Sequence, residues 1–397
     1  MYGGPLSPYV KQYAESLCSE GYPPEGIHRR LRFFVTFNRW LQQTGRNLSS
    51  LDESTARVFA ESQLYRPDAG PQPIYVLQGI LALLRQWGAI APAKETPLTP
   101  VQRLVADYRD FLVKERALSE RTSATWGPVN EKFLREKFGG GPVSRLKRIK
   151  PVDVIEFVQR HAHKHSPARA TIMISALRSL LHYLYYKGLT VRNLSGAVPR
   201  VARWSCSNLP RYLSAVQVRQ ILQHCDRGTP LGRRDYAVLL LLARLGLRAC
   251  EVAWLNLEDI DWQNATITIH GKGGRIAQLP LPADAGQAVA RYLRRDRQPC
   301  ACRRVFIRRR APMDGLGRAN IAVIVRRAID RAGIVAPHKG AHVLRHSLAT
   351  TMLRSGKSLD EIGEMLRHQS WDSTLVYAKV DIEALRQLAL QWPEGAQ

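Results

Sequence analysis

The first two hundred residues are punctuated twice in the same way, and this restricts that half of the chain to short helical bundles. Ser7-Pro8 and Thr99-Pro100 each place a hydroxyl at a helix N-cap and a proline at the first helical position, where a missing N–H costs no hydrogen bond. Apolar residues then recur at helical spacing, with Val10, Tyr13 and Leu17 after the first start and Leu104, Tyr108, Phe111 and Leu112 after the second. An aromatic amphipathic segment follows each: Phe33, Phe34, Phe37, Trp40 and Leu41 in one, Trp126, Val129, Phe133 and Leu134 in the other. Next comes an acid-bearing helix start, Leu51-Asp52-Glu53 against Ile149-Lys150-Pro151-Val152-Asp153. Both units end on a long apolar helix stopped by glycine, Ile80 to Trp87 before Gly88 and Leu177 to Tyr186 before Gly188. A period of roughly 95 residues suits two tandem domains better than a solenoid. The spacing is compatible with a true duplication and equally with two unrelated small bundles.

A Pro- and Arg-containing linker, Arg192 to Pro210, separates this part from a mixed one. Tyr236 to Leu247 reads as a buried helix. Thr266-Ile267-Thr268-Ile269 alternates as a strand, and Arg275-Ile276-Ala277-Gln278-Leu279 returns as its partner across a Gly-Lys-Gly-Gly hairpin turn. After Arg318 the chain is helical again, with Ser358 and Glu361 forming a capping box. The expected fold is mainly α with a small antiparallel β-sheet near the C-terminal end. The expected division is residues 1–97, an additional helical domain that could duplicate the next; 98–191, a second helical domain; 192–210, the linker; and 211–397, a mixed α/β domain.

Charge narrows the partner. Fifty-nine Lys and Arg against 33 Asp and Glu leave a net charge of +26, an excess that concentrates polyanions and points to nucleic acid. Arg303-Arg304 and Arg308-Arg309-Arg310 form one dense block, with Arg294-Arg295 and Arg297 just before it. One run alone could be a solvated face, but several in one domain read as phosphate contacts whose affinity falls with salt. Arg200, Arg203 and Arg211 could lie along a DNA backbone. Cys18, Cys206, Cys225, Cys250, Cys300 and Cys302 form no zinc or disulfide framework, so they are read as reduced thiols, and no metal is expected. With no signal segment and no apolar stretch long enough for a bilayer, the expected setting is the cytoplasm, at the nucleoid, with no membrane partner.

Six residues carry the chemistry: Arg248, Lys272, His342, Arg345, His368 and Tyr377. Metal-free phosphodiester exchange needs a nucleophile, a cradle for the charge on phosphorus and an acid for the leaving oxygen. Tyrosine is a weak nucleophile that must be positioned, guanidinium groups fork onto non-bridging oxygens, and a lysine on a hairpin turn can protonate a 5′-oxygen. His342 and Arg345, three residues apart, share a helix face. Arg248 is expected to end the buried helix, and His368 precedes Tyr377 by nine residues. Each has a plain alternative: Arg248 as a cation at a helix C-terminus, Lys272 as turn filler, His342 and Arg345 as surface groups, His368 and Tyr377 as packing.

Taken together, these frames resemble the tyrosine recombinase (phage integrase) family. Arg233 to Trp262, including Glu251 three residues after Arg248, looks like the family's first arginine box. His342-Val343-Leu344-Arg345-His346 matches its His-x-x-Arg-His box, and Leu366-x-His368 to Tyr377 its third. The resemblance covers roughly residues 100 to 390, with Cys250 where serine is common and Arg367 where glycine is usual. It implies a core-binding domain over 98–191 and a catalytic domain over 211–397. Arg248, Arg345, His342 and His368 would activate the scissile phosphate, Lys272 would be the general acid, and Tyr377 would form a 3′-phosphotyrosyl bond. Energy is conserved in that ester, so neither ATP nor another cofactor is implied. The implied partner is double-stranded DNA, bound by a homotetramer; partner recombinases and a mobile-element role remain open. The tail Asp381 to Trp392 resembles the family's C-terminal helix, which docks on a neighbouring subunit, though packing on its own domain is an equal alternative. The competing readings are a catalytically silent DNA-binding homologue and a type IB topoisomerase-like enzyme.

Overall fold

A computed structural model describes residues 3–62, 73–93, 98–139, 142–200, 211–271, 273–336 and 338–378. Lys272, the second half of the linker and the Asp381–Trp392 tail lie outside these residues. Contacts divide the chain into two compact units, Met1–Ile90 together with Cys206–Gln397, and Ala91–Ser205.

The first unit begins with four helices, α1 (Val10–Ser19), α2 (Pro24–Gln43), α3 (Glu53–Glu61) and α4 (Pro73–Gln86). Their core is aromatic: Tyr13 stacks on Phe34 at 4.6 Å, and Phe37 and Trp40 close on Phe59 at 4.8 and 5.3 Å. Asp52 caps α3 by accepting the Thr55 N–H. Ser7-Pro8 departs from the expected helix start. It forms a 3-10 turn, Ser7–Tyr9, ahead of α1, with no side-chain cap. The cause is Asn38 on α2, whose amide bonds the Ser7 hydroxyl, the Leu6 N–H and the Gly3 carbonyl, so the opening turn is tied across the bundle instead of to its own helix.

The second unit holds α5 (Pro100–Lys114), α6 (Glu120–Phe138), α7 (Pro151–Ala162) and α8 (Pro167–Tyr186). Thr99 and Gln102 form a capping box at α5. The core runs through Tyr108, Leu112, Phe133, Phe157, Leu177 and Leu181. In both bundles a 3-10 turn precedes the third helix, Leu48–Ser50 in one and Val143–Arg148 in the other.

The remainder of the first unit is mixed. α9 (Ala215–Gln223), α10 (Pro230–Leu245) and the short α11 (Ala249–Ala253) lead into a three-stranded antiparallel sheet in the order β1 (Ile260–Asp261), β2 (Thr266–His270), β3 (Ile276–Pro280). Ile267 pairs with Leu279 and Ile269 with Ala277; both isoleucines point into the core. After the sheet come α12 (Ala283–Arg295), α13 (Arg318–Arg331), α14 (His342–Arg354), α15 (Leu359–Leu366) and α16 (Asp372–Ala378). Residues 237 to 243 of α10 are all buried, the mark of a helix enclosed on every side. It packs against α12, α13 and α14.

α10 is shorter at its C-terminal end than the sequence pattern suggests. It stops at Leu245, and Gly246 turns the chain with φ 57° and ψ 30°. A Cβ there would lie 2.6 Å from Leu366 Cδ2, so both the conformation and the close approach need glycine. Arg248 is consequently not the last residue of the buried helix; it is the N-cap of α11.

Candidate active site

Arg248 is held at both ends. Its backbone N–H donates to Glu251 Oε2 at 2.9 Å and its Nη1 to Oε1 at 2.7 Å. The Glu251 side chain is only 2% exposed. Burial by itself would raise its pKa, but the Arg248 N–H and the Arg248 and Arg367 guanidinium groups hold it below its ordinary value. The carboxylate is therefore charged, and it fixes the direction of Arg248.

Arg345 is deeply buried, at 3% exposure. α14 begins at His342, so His342, Arg345 and His346 lie within its first turns. Arg345 Nη1 donates to Gly246 O at 2.5 Å, and Nη2 donates to Leu366 O. One guanidinium thus ties together the chain just past α10 and the C-terminal end of α15, where free carbonyls carry negative partial charge. Burial, with Arg248 and Arg367 close by, pulls its pKa down to about 10, still well above neutrality.

Tyr377 lies 1% exposed among Ala349, Ile362 and Leu366. Its ring is parallel to that of His368, with centroids 6.1 Å apart, and its Oη is 2.9 Å from His346 Nδ1. Burial pushes the phenol pKa up to about 12, against the pull of Arg345 and Arg248. His346 is lowered to about 4 by burial and by His342 and Arg345. His368 is lowered to about 4 by burial and by Arg345 and Arg248. Solvent reaches His342, yet the surrounding protein and then Arg345, Arg248 and Arg318 push its pKa down as well. At neutral pH the pocket therefore holds neutral imidazoles, a protonated phenol and cationic arginines, and is poised for an anion.

His368 is set by its turn. The Arg367 and His368 N–H groups bond Glu364 O and Gly363 O at 2.9 and 3.0 Å, closing α15 in a Schellman turn. Arg367 occupies its left-handed position, φ 55° and ψ 50°, at a cost of roughly 1 kcal/mol for a residue bearing a Cβ. His368 Nδ1 meets the Thr374 hydroxyl at 2.7 Å, joining the turn to α16.

The structure brings Arg248, His342, Arg345, His368 and Tyr377 into one pocket, within electrostatic reach of one another. Lys272 lies outside the described residues. The hairpin that carries it is closed by Gly271 N–H to Arg275 O at 2.7 Å, with Gly273 and Gly274 at positive φ. The contacts not drawn from the sequence include His346 on the Tyr377 hydroxyl and Thr374 on His368. His346 had a signal, since it stands four residues after His342 on the same helical face. Thr374 had none.

The two half-buried rings, His346 and His368, give the fold an acid sensitivity. In the unfolded chain a histidine titrates near 6.5, whereas His346 and His368 titrate near 4 when folded. Between these values the unfolded chain binds protons that the folded one refuses, so stability falls as pH drops from 6.5 toward 4. After allowing for partial solvent exposure, we expect a loss of about 2 kcal/mol per ring. Denaturant titrations at pH 7, 5.5 and 4.5 would measure it, and His346→Gln should show roughly half the decline; equal slopes would contradict the assignment.

The arginine runs divide. Arg303 pairs with Glu258, Arg304 donates to Trp254 O and Asn256 Oδ1, and Arg297 donates to the Cys302 and Arg304 carbonyls. These three already have partners within the protein, Arg303 in an exposed ion pair and Arg297 and Arg304 on partly buried carbonyl and amide oxygens. Arg308, Arg309 and Arg310 instead line an open cleft of about 930 Å³ with Arg234 and Arg327, at the N-terminal end of α10. At 1.5 Å per residue, the length of α10 puts this cleft about 20 Å from Arg248. Among the described residues, none of Arg308, Arg309, Arg310 and Arg327 makes an ion pair.

Residues 211–383 match the phage integrase family. Across 99% of this chain and 96% of its own length, the y4rA protein of Sinorhizobium fredii, named as an integrase/recombinase, is 43% identical. The tyrosine recombinase XerD of Listeria innocua is 29% identical over 70% of this chain and 94% of its own. Among solved structures, the XerH site-specific recombinase in its post-cleavage complex with palindromic difH has a TM-score of 0.58 at 22% identity, covering 87% of this chain and 99% of that one. The Tn1549 transposon integrase with a circular-intermediate DNA has a TM-score of 0.54 at 15% identity, covering 72% and 100%. With a relative this similar along its whole length, and with the site built as described, the chain belongs to the phage integrase family, the tyrosine recombinases, enzymes that cut and rejoin DNA.

Proposed function

We propose that this protein is a site-specific recombinase of a mobile element, acting as a homotetramer on double-stranded DNA, with Arg248, Lys272, His342, Arg345, His368 and Tyr377 as its catalytic residues. The observation that carries this reading is the convergence of Arg248, Arg345, His342, His368 and Tyr377 on one pocket. Residues 98–191 would bind the duplex as a core-binding domain, joined by the linker 192–210 to the catalytic domain, 211–397. Residues 1–97 would be a further helical module, and its matching helix order supports a duplicated origin.

The chemistry follows from the donors. Arg345 uses two N–H groups on carbonyls and keeps three for a non-bridging phosphate oxygen. The Thr374 hydroxyl meets His368 Nδ1 at 2.7 Å; in the tautomer in which that hydroxyl donates, the ring proton sits on Nε2 and would serve the phosphate. Tyr377 Oη passes its proton to His346 Nδ1, 2.9 Å away, and attacks phosphorus; the bond to the 5′-oxygen breaks, and Lys272 gives that oxygen its proton. The enzyme is left joined to the 3′-phosphate. A 5′-hydroxyl from a partner strand then attacks the ester and returns the tyrosine.

The test is a nicked suicide duplex from the DNA flanking this protein's own gene, incubated without divalent metal and run on a denaturing gel. A covalent adduct is expected. Tight binding with no adduct would favour a silent homologue, and relaxation of supercoils without exchange between two sites a topoisomerase-like activity.

The arginine cleft supports a second contact with DNA. Replacing Arg308, Arg309 and Arg310 together by alanine should lower the slope of log affinity against log salt by about 2 to 3, since each phosphate contact contributes about 0.9. Binding titrations at several salt concentrations would measure this. An unchanged slope would make the run a solvated face.

A further inference from the structure

We propose that Arg367 is a positioning residue for the scissile phosphate, which acts by neutralising Glu251 beneath Arg248; this rests on the recombinase reading above. The sequence resemblance leads one to expect glycine at this position, and the backbone agrees, because Arg367 sits in the left-handed region at φ 55°. A side chain held there against its conformational preference must make a compensating contact.

That contact is with Glu251. Arg367 Nη2 lies 3.1 Å from Oε2, Arg248 Nη1 lies 2.7 Å from Oε1, and the shared carboxylate is almost wholly buried. Arg367 Nη1 bonds Met365 O at 3.2 Å, while its Nε is buried without a partner. Its guanidinium is therefore packed into the protein behind the pocket. Its link to Arg248 runs through the shared Glu251 carboxylate.

A lone buried carboxylate would work against the site in two ways. It would hold the Arg248 guanidinium strongly to itself, and it would place negative charge next to an incoming phosphodiester in a medium of low dielectric. Arg367 cancels most of that charge. The cluster of Arg248, Arg345 and Glu251 then presents a larger positive potential, while the carboxylate still orients Arg248.

Single-turnover adduct formation on the suicide duplex, at saturating DNA, tests this with Arg367→Gln, Arg367→Lys, Arg367→Gly and the pair Glu251→Gln with Arg367→Gln. Arg367→Gln and Arg367→Gly should slow cleavage by about 10-fold, and Arg367→Lys should restore most of the rate because it keeps the charge. In the Glu251→Gln background, with no carboxylate to neutralise, loss of Arg367 should cost less than about 2-fold. If Arg367 served only to cap α15, glycine would be the best-tolerated residue, and the loss would be the same in both backgrounds. Either of those results, or wild-type rates in Arg367→Gln, overturns the proposal. Should the Glu251→Gln background be too slow to measure, the contrast between Arg367→Lys and Arg367→Gln decides alone. No adduct from the wild-type chain would instead overturn the recombinase reading, and this proposal with it.

Discussion

Tyr377→Phe is expected to abolish the covalent adduct while leaving the fold and DNA binding intact. The ring is the larger part of what Tyr377 contributes to packing: it is buried among Ala349, Ile362 and Leu366 and lies parallel to His368. Phenylalanine keeps all of that. Only the hydrogen bond between Oη and His346 Nδ1 is lost, which costs about 1 kcal/mol. The chemical effect is far larger: removing the attacking oxygen should lower strand cleavage on the order of 10⁴-fold or more. Wild type and variant would be compared on the same nicked duplex, with binding followed separately by gel shift. An adduct that persisted in Tyr377→Phe would move the nucleophile elsewhere. The burial of Oη adds a corollary. With its pKa pushed up to about 12, the phenol is protonated at neutral pH and must give up that proton as it attacks.

Arg345→Ala should lose both stability and chemistry, and Arg345→Lys should separate the two. Arg345 is 3% exposed, and its guanidinium satisfies Gly246 O and Leu366 O together. Alanine leaves two buried carbonyls unpaired next to a cavity, a loss of about 3 to 5 kcal/mol. Lysine keeps the positive charge but has no planar fork, so it cannot bridge the two carbonyls and face the phosphate at once. We expect Arg345→Lys to fold with a modest drop in denaturation midpoint and to cleave about 10²-fold more slowly, and Arg345→Ala to fall about 10³-fold where it folds at all. Denaturant midpoints and single-turnover adduct rates would be read side by side. A lysine variant that cleaved at the wild-type rate would show that charge alone suffices, and would reduce Arg345 to a structural strut.

The sequence by itself determined what depends on local spacing. Helical periodicity and N-cap residues located the helices of both bundles because each amphipathic face and each cap is written within a few residues; Thr99 with Gln102 and Ser358 with Glu361 cap as their spacing indicates. Alternation in Thr266 to Ile269 and the glycines after it gave the β2–β3 hairpin for the same reason. His342 and Arg345 share a face because a helix repeats every 3.6 residues. Ser7 shows where this reading stops: its hydroxyl meets Asn38, a residue thirty-one positions away, and so does not cap a helix. Arg248 stops it too, since the close approach of Leu366 to Gly246 ends α10 early and makes Arg248 the cap of the next helix. Tertiary structure alone decided the environment of the pocket. His346 against Tyr377, Thr374 against His368, Arg367 against Glu251, and Arg345 spanning Gly246 and Leu366 all join different elements. The same is true of the arginines: Arg303 and Arg304 are paired with Glu258 and Asn256 while Arg308 to Arg310 line an open cleft, although all five read alike along the chain. Burial and partner choice depend on which elements meet in space, and the charge and protonation of a site follow from them.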